Sequence, residues 1–177
     1  DNWERPESEV AALFGLVRQF LLEQSPHWVA RGIRLRVIGR RERLPTPLRA
    51  AIASAEDATS AGQGMQLRIA VDYSAREEIL RTATRFYTTL EISQEAFGGM
   101  LARLSHAGEN FPNVDLLIRT GGEQRLSDFL LWECAYAEMI FSKKLWPDFG
   151  EADLEAAIRE YQARPRRFGR LPEEKAG

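Results

Sequence analysis

An open α/β fold, a mostly parallel sheet surrounded by helices, is predicted by three observations on the amino-acid sequence. Ile33, Leu35 and Val37 alternate with Arg34 and Arg36, the period-two signature of a strand. Val114 to Ile118 is short and almost wholly apolar, as a strand buried on both faces requires. Between such stretches lie segments of helical periodicity, and strands alternating with helices point to parallel neighbours joined by crossovers.

The elements follow in order. Pro6 suits the first turn of a helix, where its missing N–H costs nothing. Val10, Leu13, Phe14, Val17, Phe20 and Leu21 then keep the i, i+3, i+4, i+7 spacing of an amphipathic helix. Ser25-Pro26 is expected to break it and cap a second short helix ending near Gly32. After the first strand, Thr46-Pro47 reads as an N-cap with a first-turn proline, and Leu48 to Ser60 as helix. Met65 to Tyr73 reads as strand, Ala75 to about Tyr87 as helix, and Ser93 caps a helix running to about Ser105. The Val114 strand leads through a glycine-rich turn to an apolar helix expected from Asp128, then to a short strand at Met139 to Phe141. Glu151 to Gln162 closes the series as an amphipathic helix carrying Leu154, Ala157, Ile158 and Tyr161 on one face. One domain is expected over residues 1–170, with a polar tail at 171–177.

Composition excludes several classes. A net charge of −2 gives no electrostatic footprint for nucleic acid. A single cysteine, Cys134, precludes an internal disulfide and fits a reducing compartment; within an apolar segment it reads as a small buried hydrophobe. No apolar run approaches the length of a membrane span, so a soluble, cytoplasmic domain is expected. Of 24 basic residues only Lys143, Lys144 and Lys175 are lysine, leaving 21 arginines, whose forked donors suit phosphate. His27 and His106 have no partners at ligand spacing, and no nucleophile motif stands out.

Ligands in open parallel sheets bind beyond the carboxyl ends of the strands. That rule selects Gly39 to Arg43, Asp72 to Arg76, and Arg119 to Ser127. The third is the richest. In Arg119-Thr120-Gly121-Gly122-Glu123-Gln124-Arg125-Leu126-Ser127, two glycines let the backbone turn tightly, and two arginines and a hydroxyl provide donors for a diphosphate. The Gly-Lys-Ser/Thr ending of a Walker phosphate loop is absent. Glu138, after Ala135-Tyr136-Ala137, lies in an apolar stretch where a carboxylate either pairs with an arginine or binds a hard cation. Trp132 and Trp146 read as core.

These blocks, in this order, resemble the cis-prenyltransferase family of undecaprenyl-diphosphate-synthase type. Asn2-Trp3, Arg5-Pro6 and Glu9-Val10 are similar to its S-E-N-W-x-R-P-x-x-E-V block, and Ile33 to Gly39 to its V-R-L-R-I-I-G strand. Asp115 to Ser127 resembles D-L-V-I-R-T-G-G-E-x-R-I-S, and Asp128 to Glu138 resembles N-F-L-L-W-Q-x-A-Y-A-E. Leu145-Trp146-Pro147-Asp148-Phe149 and Arg166-Arg167-Phe168-Gly169 complete the match, which covers nearly the whole chain.

The resemblance implies a magnesium-dependent enzyme that joins isopentenyl diphosphate to an allylic diphosphate, working as a homodimer around a hydrophobic tunnel. Arg119, Arg125, Leu126 and Ser127 would hold isopentenyl diphosphate, with Glu138 a magnesium ligand and Arg167 and Gly169 completing a diphosphate site across the dimer. Asn2 falls where the family has a candidate proton acceptor, and Asp1, Trp3 and Arg5 would line the site. Peripheral membrane contact through a lipid product is a further implication. Two departures stand out. The family's N-Y-G-G-R is here Asp72-Tyr73-Ser74-Ala75-Arg76, and the D-G-N-G-R-W-A block with the catalytic aspartate is not among these residues. The first strand of the sheet is therefore expected to be missing, and the isolated chain to be inactive. Two alternatives remain open: a non-catalytic partner subunit, and a short-chain Z-prenyl diphosphate synthase.

Overall fold

Pro6, with φ −52° and ψ 137°, stands just ahead of the first helix, α1 (Glu7–Ala30), and its carbonyl accepts the N–H groups of Glu9 and Val10. The expected break at Ser25-Pro26 does not occur. Pro26 sits inside a continuous helix, and the Ser25 hydroxyl donates to the Leu21 carbonyl at 2.5 Å. Packing explains this: Leu21 and Trp28, one on each side of the proline, are both buried in the same core, which outweighs one missing helical bond. In the computed structural model, residues 3, 6–86, 93–105 and 111–165 are described, and they fall into two compact units, Asp1–Phe111 and Pro112–Gly177.

In the first unit, β1 (Arg34–Ile38) pairs in parallel with β2 (Gln66–Ala70), with Leu35 opposite Leu67 and Val37 opposite Ile69. Leu35 and Val37 are buried, as the alternation with arginine predicts. Between these strands runs α2 (Thr46–Ala58). Pro45, rather than Thr46, precedes its first turn, and Pro47 takes an early position where no N–H is needed. Leu48, Ile52 and Ala55 of α2 join Leu21, Trp28, Leu35 and Val37 in one core. The free edge of β1 is satisfied by α2 and the residue that follows it. The Leu35 N–H donates to Thr59 Oγ1 at 3.1 Å and the Val37 N–H to Glu56 Oε1 at 2.8 Å. Side chains thus occupy two of the ladder donors on that edge.

β2 is shorter than the sequence suggests, because Asp72, with φ +51°, ends the extended run. α3 (Ala75–Phe86) and α4 (Gln94–Ser105) follow, each opened by a serine hydroxyl. Ser74 Oγ accepts the Glu77 N–H at 3.2 Å, and Ser93 Oγ accepts the Ala96 N–H at 3.0 Å; the second cap is the one read from the sequence. The two helices meet through Phe86 and Phe97 edge to face, and through the Ser105 hydroxyl, which donates to the buried Glu78 carboxylate.

In the second unit, β3 (Leu116–Arg119) pairs in parallel with β4 (Glu138–Phe141), and α5 (Glu151–Ala163) follows. The helix expected from Asp128 is absent: residues 127–136 form consecutive turns. Ser127, Asp128 and Leu130 have φ of +48°, +63° and +45°, which no right-handed helix accommodates. Trp146 also departs from expectation. It is 75% exposed and stacks on Phe149 rather than entering a core. Leu154 and Ile158 of α5 are likewise exposed, and of its apolar face Ala157 is buried. Every strand pairing among the described residues is parallel, so the α/β class read from the sequence holds. No helix among them is long and apolar enough to cross a membrane.

Candidate functional site

Two of the three strand-end segments selected by the sheet rule come together in the first unit. Gly39 follows β1 with φ +112°, and a Cβ there would lie 2.1 Å from the Val71 carbonyl oxygen, so only glycine fits. The close approach lets the Arg40 N–H donate to the Asp72 carbonyl at 3.2 Å, joining the two strand ends. The Asp72 carboxylate is 6% exposed, and its Oδ1 accepts both Arg40 Nη2 at 2.8 Å and the indole Nε1 of Trp3 at 2.6 Å. Arg43 Nε lies 3.5 Å from Oδ2, and the same guanidinium rests over the Trp3 ring at 4.5 Å. Trp3 packs in turn on Phe14 of α1. Sequence reasoning named Trp3 but missed Arg40, Arg43 and Asp72 as a cluster. The signal was present, since opposite charges occupy two strand ends that a parallel pair brings together.

The third segment lies in the second unit, beyond the carboxyl end of β3. Gly121 and Gly122 have φ of +88° and +80°, with open space where a Cβ would stand; conformation, not crowding, calls for glycine here. Their N–H groups donate to the carbonyls of Lys144 at 2.7 Å and Ser142 at 2.9 Å, pinning the turn to the chain leaving β4. Arg119, the last residue of β3, folds its guanidinium over the loop. Its Nη1 donates to Ser127 Oγ at 2.9 Å and to the Arg125 carbonyl. Arg125 is exposed and pairs with Glu123. Arg119, Arg125 and Ser127 are thus assembled in one loop, with Leu126 half-buried between them. The loop therefore gathers two guanidinium groups and a hydroxyl, the donor types that suit a phosphate, with Arg119 engaged by Ser127 and the Arg125 carbonyl and Arg125 by Glu123.

Glu138 opens β4, where its carboxylate Oε2 accepts Arg164 Nη1 at 2.8 Å; Arg164 also reaches the Met139 carbonyl and Glu160. The bonds from Glu138 first, and then Glu160, raise the Arg164 guanidinium above its already high ordinary value. Of the two readings for Glu138, the described residues display the arginine pair. A magnesium site remains compatible, because that ion commonly takes one or two protein carboxylates and fills its shell with water and substrate phosphates. Glu138 is part-exposed, with 30% of its side chain open. Among the described residues no group of three metal-ligating side chains occurs. Cys134 is buried, as expected, and burial first, then the nearby Glu133 charge, push its thiol up in pKa, which keeps it protonated and inert. Asp1, Asn2, Arg5, Arg167 and Gly169, and the 171–177 tail, lie outside the described residues.

Comparison with known proteins adds to this geometry. The prenyltransferase family described by undecaprenyl diphosphate synthase matches residues 1–169. Isoprenyl transferase 1 of Bradyrhizobium diazoefficiens is 50% identical over 97% of this chain and 68% of its own length. The isoprenyl transferase of Geobacter sulfurreducens is 40% identical over 96% of this chain and 70% of its own. Among solved structures, lavandulyl diphosphate synthase from Lavandula x intermedia, in complex with dimethylallyl diphosphate, superposes with a TM-score of 0.88 at 38% identity. That match covers 95% of this chain and 74% of the synthase.

Proposed function

The chain belongs to the cis-prenyltransferase family of undecaprenyl-diphosphate-synthase type, and from that premise we propose that it serves the condensation of isopentenyl diphosphate with an allylic prenyl diphosphate. The observation that carries the proposal is the Arg119–Ser127 loop, in which a guanidinium, a hydroxyl and a second exposed guanidinium converge beyond a parallel strand. In the reaction the allylic C–O bond breaks and diphosphate leaves with the electron pair. The isopentenyl double bond attacks the allylic carbon, and loss of a proton creates the new Z double bond.

The roles are those that the family resemblance implies. Arg119, Arg125 and Ser127 hold the diphosphate of isopentenyl diphosphate, and Leu126 packs beside it. Arg167 and Gly169 complete that diphosphate's shell from the partner subunit of a homodimer. Asn2 takes up the proton, and Asp1, Trp3 and Arg5 line the reacting end. Glu138 is the residue that would hold magnesium, which when bound neutralises charge on the diphosphates. A cytoplasmic enzyme, touching the membrane through its lipid product, fits these assignments.

The test is incorporation of labelled isopentenyl diphosphate by Arg119→Ala in the full-length protein, with dimethylallyl, geranyl or farnesyl diphosphate as primer. Charge-assisted contacts are worth about 1.5–3 kcal/mol each, so kcat/KM for isopentenyl diphosphate should fall about tenfold to hundredfold. Unchanged kinetics would remove Arg119 from the site. Product length read in the same assay decides between long and short chains. Activity that emerges only on adding a homologous second protein would instead support a partner subunit.

A further inference from the structure

The Asp72 carboxylate is a buried charge with three partners in the first unit, and the reaction gives it no role. It sits on a left-handed backbone turn with φ +51°, and aspartate is among the few residues besides glycine that visit that region readily. Two arginines and an indole converge on it from two other parts of the chain: Arg40 and Arg43 beyond β1, and Trp3 near the start. The separations, 32 residues to Arg40 and 69 to Trp3, mean that this convergence is created by the fold. A surface pair of this kind contributes little. Here the carboxylate is 6% exposed, so its bonds act in a low dielectric, where leaving it without partners would be costly.

The distribution over the two oxygens is informative. Oδ1 takes both the Trp3 indole at 2.6 Å and Arg40 at 2.8 Å, whereas Oδ2 faces Arg43 at 3.5 Å, beyond good hydrogen-bond length. The strongest contacts are therefore those that hold Trp3. Arg43 reinforces them by lying over the indole face, and Phe14 packs against the ring at a tilt, with centroids 5.6 Å apart.

We propose that Asp72 is a positioning residue: its buried carboxylate clamps the indole of Trp3, with Arg40 and Arg43 as buttresses, and so fixes the orientation of a side chain that lines the reacting end. The inference rests on the prenyl-transfer reading for its functional half; its structural half stands alone. It also gives the aspartate at this position a use. A carboxylate balances two arginines and still offers the indole an acceptor.

The test compares Asp72→Asn, Asp72→Ala, Trp3→Phe and the Asp72→Ala/Trp3→Phe double variant. Asparagine keeps a carbonyl oxygen for the two Oδ1 contacts and loses the charge, whereas alanine loses both. The Trp3 emission, isolated as the difference between wild type and Trp3→Phe, should stay blue and shielded from acrylamide in Asp72→Asn and become red-shifted and quenchable in Asp72→Ala. A purely charge-balancing role predicts that both Asp72 variants change alike, and that result overturns the proposal. In the prenyl-transfer assay, Asp72→Ala should lower kcat about tenfold, the loss of roughly one such hydrogen bond, with KM for isopentenyl diphosphate nearly unchanged. The double variant should be no worse than the more damaged single one, since both mutations break one clamp. Additive losses would overturn the clamp as the route of action. If the full-length wild-type protein shows no prenyl transfer under any condition, the functional reading fails while the fluorescence comparison still decides whether Asp72 holds Trp3.

Discussion

At the scale of a single side chain, Glu138 shows how a pairing role and a metal-binding role can be told apart. Its carboxylate pairs with Arg164 at 2.8 Å, yet about a third of each side chain is open to solvent. Exposed pairs of this kind add little to stability, so the thermal midpoint of Glu138→Gln should move only slightly. If Glu138 also serves magnesium, the same variant should lose turnover that added magnesium partly restores, because a hard cation needs the negative charge and not the shape. Arg164→Leu makes the complementary case. Freeing the carboxylate from its guanidinium should lower the magnesium concentration needed for half-maximal activity. A stability loss in Glu138→Gln with unaltered magnesium dependence would leave the carboxylate a purely structural partner.

At the scale of elements, the junction between β4 and α5 is set by one acid. Asp153 Oδ2 accepts the Gly150 N–H at 3.0 Å, closing the first turn of α5, while Oδ1 accepts Lys144 Nζ at 2.6 Å. The Lys144 carbonyl in turn receives the Gly121 N–H, so helix start and candidate loop share a tether. The Lys144 bond first, then the Gly150 bond, hold the Asp153 carboxyl below its ordinary range. A depressed folded value means the tether is present above the unfolded value and is lost as pH falls through the folded one. Amide protection of Asp153 and Leu154 should therefore persist through the usual carboxylate range and disappear in stronger acid, and Asp153→Ala should show the acid pattern at neutral pH by hydrogen exchange. Persistence of protection in that variant would remove the tether from the helix start. How far such features were legible follows the range of the interactions. The Ser93 cap and the alternation in β1 are local, so sequence spacing was enough. The turns after Ser127 were not legible, because three non-glycine residues adopt positive φ where composition reads as helix. Continuity through Pro26 depended on core partners far along the chain. The Arg119, Arg125 and Ser127 loop lay within nine residues and could be read; the Asp72 clamp needed two strand ends and a distant tryptophan.

For the whole molecule, the balance between buried and exposed apolar surface leads to the last prediction. The first unit has a contiguous core centred on Leu21, Leu35, Leu48 and Ile52, whereas Leu16, Leu80, Tyr136, Leu145 and Trp146 are each more than 60% exposed. Scattered exposed apolar residues are ordinary, but Leu145, Trp146 and the stacked Phe149 are adjacent in one segment of the second unit, and Leu13, Leu16 and Phe20 follow one another along α1. Each described sheet has two strands, and pairs of that size draw their stability from what packs on them. Purified as residues 1–177 alone, the chain should bind a hydrophobic dye such as anilinonaphthalene sulfonate and self-associate as its concentration rises. It should also incorporate no isopentenyl diphosphate, because the D-G-N-G-R-W-A block is not among its residues and little then stabilises the departing allylic diphosphate. Diphosphate binding through Arg119 and Arg125 should survive, weakened, since those groups are in place, and Arg119→Ala should abolish what remains. Calorimetry with inorganic pyrophosphate, sedimentation and the incorporation assay together decide the matter. Turnover by the 177 residues alone would show that the groups described suffice for catalysis, and a monodisperse chain that ignores the dye would show that its exposed apolar segments are covered in solution.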